Sequence, residues 1–376
     1  MSEADIHLLT MPKWGLAMTK GQVVGWLIEE GAEVRPGLEL LEIETEKVLS
    51  SLEAATSGVL RRKVARQGDV VYVGGLLGVI AAPSASESQI DNYVEDFQAR
   101  FIPEEADDEV AGPILQTADV DGFRISYLRR GQGAESAILI HGFGGDLNSW
   151  MFNHESLASR HSVYALDLPG HGGSSKKMED GTLLGFAQVL IGFMDSIGAS
   201  KAHLVGHSMG GAVAALFALN HPERCLSLTL IASAGLGSEI DGEYIRGFVS
   251  ATRRNELKPV LEKLFADSRL MTRQLVDDTL KYKRLDGVES ALGAIASQFC
   301  PSNRQSVILR DRVIRLSMPV LVLWGSEDRI LPASQAGNLP KHVRTEVLPG
   351  YGHMVQMEAA SKVNMMIRSF WESQTS

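Results

Sequence analysis

At 376 residues the chain exceeds the roughly 100 to 200 residues of one ordinary domain, so two domains are expected and a single small module is excluded. Hydrophobic residues at 44%, with 22% charged and 6% aromatic, exclude a disordered, collagen-like or coiled-coil chain. The formal net charge of -10 argues against a nucleic-acid partner, because phosphate binding needs clustered Lys and Arg.

Cys225 and Cys300 stand outside any C-x-x-C pair, so a reducing compartment is expected, with neither a disulfide nor a metal framework. The opening residues, Met1 to Asp5, lack the basic and apolar regions of a secretory signal. Apolar runs such as 76–82 are far shorter than the roughly 20 residues of a spanning helix. A cytoplasmic location with no membrane partner is the expectation.

In residues 1–83, short β-type runs at 23–28, 40–43, 59–60 and 76–80 are punctuated by glycines such as Gly31, Gly37, Gly58 and Gly68. This pattern predicts a small all-β sandwich. Lys47 lies between two of the runs, ten residues after Gly37 and eleven before Gly58, near the centre of a two-fold-like arrangement. A lysine on a hairpin is either a solvated charge or the anchor of a tethered prosthetic arm.

Residues 84–113 carry nine acidic side chains against the single Arg100, a net of -8. Self-repulsion predicts an extended linker there, with residues 93–101 open to reading as a transient helix or docking element. Without this segment 35 basic and 37 acidic residues remain, so the chain's charge is local.

Residues 114–376 alternate apolar runs (137–140, 162–166, 202–205, 228–231, 320–323) with helical periodicity, for example at 184–197 and 209–220. Continuous apolar runs are expected of parallel strands covered on both faces, so this part reads as an α/β sheet with right-handed crossovers. Between 236 and 316 helical patterns dominate, which predicts a helical cap.

Gly206-His207-Ser208-Met209-Gly210 is a G-x-S-x-G motif between a strand and a small-residue helix, where flanking glycines permit the turn that exposes a serine hydroxyl. Alone it could be a Gly-rich turn with an N-cap serine. Asp328 after the run 320–323 and His353 after 345–348 both fall at strand carboxyl ends, where open α/β sheets place their sites. The chain order Ser208, Asp328, His353 resembles that of the α/β-hydrolases. In such a triad His353 takes the serine proton while Asp328 orients and stabilises the imidazolium. The loop His141-Gly142-Phe143-Gly144-Gly145 would pair the Phe143 N–H with that of Met209 as an oxyanion hole. Glu327 competes with Asp328, but the family pattern uses the second acid. The loop 167–174 resembles the one that shapes the mouth of the site in the same family, with His171 structural. A serine nucleophile disfavours haloalkane dehalogenases and epoxide hydrolases. The remaining histidines, including His161 and His203, show no spacing that suggests a ligand set, so no metal is expected.

Met11 to Met18, the stretch 31–37, then Glu42-Ile43-Glu44-Thr45-Glu46-Lys47, Gly58 and Gly68-Asp69 resemble a lipoyl domain, with Val48 where the family usually has Ala. The methionines that flank the lysine in biotin carriers are absent. A lipoyl-type sandwich joined to an α/β-hydrolase fold with a helical cap resembles the acetyltransferase components of bacterial acetoin dehydrogenase complexes. The H-x-x-x-D-G motif of most dihydrolipoyl acyltransferases is missing, since Thr117, Lys176, Gly237 and Tyr282 stand four residues before the Asp-Gly pairs. The basic peripheral-subunit-binding domain is missing too.

The resemblance implies lipoate on Lys47, coenzyme A as co-substrate, and acetyl transfer through an acyl-serine at Ser208. It also implies, as partners, a thiamine-diphosphate-dependent acetoin dehydrogenase and a dihydrolipoyl dehydrogenase. A serine hydrolase of esters, thioesters or carbon-carbon bonds fused to a lipoyl carrier is the alternative, and a non-enzymatic docking domain is another. Arg253, Arg254, Lys281, Lys283 and Arg284 in the cap are either contacts for coenzyme A phosphates or a solvated helix face.

Overall fold

Short alternating strands and continuous apolar strands build two separate bodies. The computed structural model describes residues 6–15, 18–45, 49–101, 115–177 and 181–374, and the chain divides into units Met1–Gly112 and Pro113–Ser376.

The N-terminal unit holds β1 (Ile6–Thr10), β2 (Lys20–Trp26), β3 (Glu33–Val34), β4 (Glu39–Glu44), β5 (Leu49–Glu53), β6 (Gly58–Lys63), β7 (Val70–Tyr72) and β8 (Leu76–Ala81). They form two four-stranded antiparallel sheets, ordered β1-β8-β6-β3 and β5-β4-β2-β7. Met11, Val23, Leu40, Leu41, Ile43 and Leu60 fill the space between them. The Trp26 indole donates to the Ala65 carbonyl at 2.9 Å. Gly78 leaves room for that ring, since a Cβ there would stand 2.9 Å from it. Glu44 pairs with Leu49 across β4 and β5. Lys47, between them, lies outside the described residues.

The segment expected to be an extended linker holds α1 (Glu87–Arg100), and this is a correction. Ser86 caps the helix in a reciprocal box with Gln89. Ile90 is fully buried in a cluster with Val79, Ala81 and Ala85. Arg61 reaches Glu87 at 2.6 Å, and Arg62 reaches Asp91 at 2.6 Å and Glu87 at 2.9 Å. Self-repulsion is therefore offset by two arginines of β6 that composition alone does not pair with the acids.

The C-terminal unit is an eight-stranded sheet of β9 (Leu115–Val120), β10 (Phe123–Arg130), β11 (Ser136–Ile140), β12 (Ser162–Leu166), β13 (Ala202–His207), β14 (Cys225–Ile231), β15 (Val320–Gly325) and β16 (Val343–Leu348). Its order is β16-β15-β14-β13-β11-β12-β10-β9, antiparallel at the β12-β10-β9 edge and parallel elsewhere. Layered around it are α2 (His154–Leu157), α3 (Leu183–Ser196) and α4 (Met209–Asn220), and at the C-terminus α10 (Val355–Glu358) and α11 (Ala360–Glu372). Between β14 and β15 lie α5 (Gly242–Ser250), α6 (Arg254–Leu261), α7 (Arg273–Lys283), α8 (Val288–Phe299) and α9 (Arg310–Val313). β12, β13 and β15 are buried along their whole length, the property that gives them unbroken apolar runs. Among the described residues no helix is long and apolar enough to cross a membrane.

Replacing Ile90 with alanine removes the anchor of α1. The expected cost is about 2–5 kcal/mol in the N-terminal unit, read as faster amide exchange in β8 with β13 unchanged. Unchanged exchange in β8 would mean that the helix does not brace the sandwich.

Candidate active site

β13 ends at His207 and α4 begins at Met209, so the whole change of direction falls on Ser208, at φ 53 and ψ -121. A serine in that region carries strain and needs outside support. Its N–H donates to the Ile231 carbonyl and its carbonyl accepts from Ala234, each at 3.0 Å. Glycines make the turn sterically possible. A Cβ on Gly206 would overlap the Gly210 carbonyl, one on Gly210 would overlap the carbonyls of Ile140 and His141, and one on Gly211 would overlap the Ser233 hydroxyl.

Asp328 lies in the loop after β15 and His353 in the loop after β16. His353 Nδ1 stands 2.8 Å from Asp328 Oδ2, with both side chains shut off from solvent. The other carboxylate oxygen accepts from the N–H groups of Ile330 and Leu331 at 2.8 and 2.9 Å. Gly325 lets the two loops meet, because a Cβ there would overlap the carbonyls of Tyr351 and Gly352. Glu327 is exposed and accepts from Ser326 at 3.2 Å, away from the imidazole. Ser208 and His353 are not hydrogen-bonded to each other among the described residues, a looseness usual where no substrate is bound.

His207 links them instead. Its Nε2 donates to the His353 carbonyl at 3.0 Å, and the two rings lie 4.7 Å apart. The sequence marked it only as the variable position of the elbow, and no local signal identifies its partner 146 residues away.

The loop after β11 carries Phe143. Neither the Phe143 nor the Met209 N–H has a protein acceptor among the described residues. His171 Nε2 accepts the Gly144 N–H at 3.2 Å and His141 Nε2 accepts the Leu168 N–H at 3.0 Å, so two rings hold this loop. Burial holds both rings neutral: His141 falls to about 4 and His171 well below the usual histidine value. Burial likewise lowers His207 far below that value, with His353 beside it adding to the effect. Asp167, buried beside Asp146, is pushed up to about 7 and accepts from Leu147 and Gly173, each at 2.7 Å.

The cap closes over this edge. Phe143 packs edge-on against Phe248 of α5 at 5.7 Å and stacks with Phe299 of α8 at 6.5 Å. Tyr282 of α7 donates to the Gly170 carbonyl at 2.9 Å. Glu358 accepts from Gly352 at 2.5 Å and from Ala266 at 2.8 Å, tying the His353 loop to the cap. Of the cap cations weighed for phosphates, Arg254 pairs with Asp277 at 2.5 Å and Lys281 with Asp278 at 3.3 Å. Lys283 binds the carbonyls of Phe248 and Val249. These three serve the cap's own packing.

Comparison with known proteins agrees with this architecture. Residues 138–360 match the alpha/beta hydrolase fold family and residues 7–80 the family described as biotin-requiring enzymes. The chain is 48% identical, over 98% of its length and 99% of the relative's, to the dihydrolipoyllysine-residue acetyltransferase component of the acetoin cleaving system of Pseudomonas putida. Its Cupriavidus necator counterpart is 47% identical over 96% of each chain. The chain belongs to this acetyltransferase family. Among solved structures, a meta-cleavage product hydrolase from Pseudomonas fluorescens superposes with a TM-score of 0.63 at 23% identity, over 69% of this chain and 97% of its own. That likeness is one of fold. As an acetyltransferase component, the chain pairs a carrier-type unit with a hydrolase-type unit.

Two outcomes follow from this geometry. Gly206→Ala should cost several kcal/mol, at the upper end of single-site effects, in denaturant unfolding of the C-terminal unit. A near-neutral result would mean that the elbow is not sterically closed. Second, His141, His171, His203 and His207 are all held below their ordinary value. The unfolded chain therefore takes up protons first as pH falls. Their stabilisation is complete above about pH 6.5 and is lost toward pH 4. Asp167, raised to about 7, and Asp146, raised by burial beside it, act in the opposite direction. The four rings outnumber the two acids, so unfolding free energy should drop between pH 6.5 and 4. A flat profile would contradict neutral burial.

Proposed function

We propose that the chain moves an acetyl group from S-acetyldihydrolipoyl-lysine at position 47 to coenzyme A through an acetyl ester on Ser208. The observation that carries this proposal is the dry His353–Asp328 contact of 2.8 Å, beside a strained serine elbow in a chain that also bears a carrier unit.

The carrier assignment rests on the sandwich. The β4–β5 pairing of Glu44 with Leu49 brackets Lys47 in sequence between two strands, the position at which the lipoyl motif carries its amide-linked arm. When attached there, lipoate supplies a thiol that holds the acetyl group as a thioester.

In the first half-reaction Ser208 Oγ attacks the thioester carbonyl and His353 takes the serine proton. The N–H groups of Phe143 and Met209 stabilise the oxyanion. Collapse breaks the carbon–sulfur bond, and His353 returns its proton to the departing thiolate. In the second half-reaction coenzyme A gives its thiol proton to His353, its sulfur attacks the acetyl-serine, and Ser208 leaves with that proton. Asp328 holds the imidazole tautomer and balances the imidazolium in each step. Phe143, Phe248 and Phe299 support transfer over hydrolysis, since an aromatic lid excludes water from the ester.

The relatives' names place them in the acetoin cleaving system. We extend this to the present chain: a thiamine-diphosphate-dependent acetoin dehydrogenase loads the carrier, and a dihydrolipoyl dehydrogenase reoxidises it.

With free S-acetyldihydrolipoamide and coenzyme A, the product should be acetyl-coenzyme A. Ser208→Ala and Asp328→Asn should each lower the rate by about 10³-fold or more. Lys47→Arg should leave this assay intact while abolishing turnover of acetoin in the assembled system. Free acetate as the main product would assign the site to hydrolysis. Full activity of Ser208→Ala would reduce the domain to docking.

A further inference from the structure

Glu135, His161 and His203 meet at the amino-terminal edge of the parallel strands. Glu135 precedes β11, His161 precedes β12 and His203 is the second residue of β13. The β11–β12 and β11–β13 registers, which pair Ser136 with Ser162 and with Ala202, bring them together. Ser208 lies five positions after His203, about 16 Å along the strand direction, so this cluster is distinct from the triad. In sequence the three residues are 26, 42 and 68 apart. Their spacing in the sequence does not suggest this grouping.

One donor atom from each residue lies within 4.8 Å of the other two. Glu135 Oε2 stands 3.6 Å from His161 Nε2 and 3.4 Å from His203 Nε2. Ligands bound at about 2.0–2.1 Å in a tetrahedral zinc site are about 3.3–3.4 Å apart. Both oxygen–nitrogen edges are close to that spacing. The rings are set at 81° to each other, so they approach the shared oxygen from different directions.

The surroundings resemble the outer shell of a metal site. Ser227 Oγ lies 2.7 Å from His203 Nδ1 and fixes that ring. Trp371 of α11 stacks on His203 at 4.9 Å and packs on His161 at 4.6 Å. The two imidazoles are buried and Glu135 is 41% exposed, which gives an entry path and leaves a coordination position open to water. Arg160 is the nearby cation, and it is paired with Glu372 at 3.2 Å.

We infer that Glu135, His161 and His203 form a two-histidine, one-carboxylate site for a divalent transition-metal ion of the zinc type, on the face of the sheet edge opposite the triad. Such an ion would clamp the starts of β11, β12 and β13.

The test uses the full chain after chelator treatment and dialysis. Zinc uptake is measured by elemental analysis, Co²⁺ by its visible d–d absorption, and stability by thermal unfolding. One equivalent of either metal should bind, with low-coordinate Co²⁺ bands and a higher unfolding temperature. Glu135→Gln and His161→Gln should each weaken binding about 100-fold. Glu135→Gln alters a half-exposed carboxylate, so circular dichroism should show a native fold and the loss can be read as lost ligation. Failure to bind either metal would overturn the inference. So would equal binding by the double variant E135Q/H161Q, which would move the metal to another part of the chain.

Discussion

The backbone of Ser208 is the constraint on which the rest depends. A non-glycine residue at φ 53 and ψ -121 is costly, and within the turn only the Gly211 N–H, donating to the Ser208 carbonyl at 3.0 Å, offsets that cost among the described residues. It is held by its neighbours: Ile231 and Ala234 take its backbone polar groups, and Gly206, Gly210 and Gly211 leave the space that any Cβ would fill. Placing β13 in the middle of a parallel sheet supplies the rigidity, with β11 and β14 bonded on either side.

Around that point the chemistry is assembled by loops from several strands. β15 brings Asp328, β16 brings His353 and β11 brings Phe143. Their alignment relies on buried neutral imidazoles that act as fixed hydrogen-bond partners. His207 ties the elbow to the His353 loop, while His171 and His141 tie the Phe143 loop to the segment after β12. A charged ring would not serve at His141 or His171, because a protonated imidazole cannot accept an N–H. These rings are buried, and the aromatic contacts of α5 and α8 with Phe143 extend the apolar packing over that loop.

Much of this was legible in the residues. Continuous apolar runs announced β11 to β15, Gly-x-Ser-x-Gly announced the elbow, and the later acid and histidine marked the two loops that meet at Asp328 and His353. What stayed hidden was long-range. The β9–β10 hairpin mixes exposed and buried positions without a clear alternation. Helix α1 depends on Arg61 and Arg62 across the fold, so its acids read as a tether. His207 looked like filler in a motif. Glu135, His161 and His203 come together only through strand register, which no spacing encodes. Lys47 lies outside the described residues, so its role rests on the motif around it.

The central claim is that the acetyl group passes through Ser208. It is tested most directly by mixing the full chain with S-acetyldihydrolipoamide in the absence of coenzyme A, quenching in acid and locating the label by peptide mass spectrometry. The account predicts a single acetyl group on Ser208 that is discharged as acetyl-coenzyme A when coenzyme A is added. Formation of acetyl-coenzyme A at full rate with Ser208 never acetylated would contradict it.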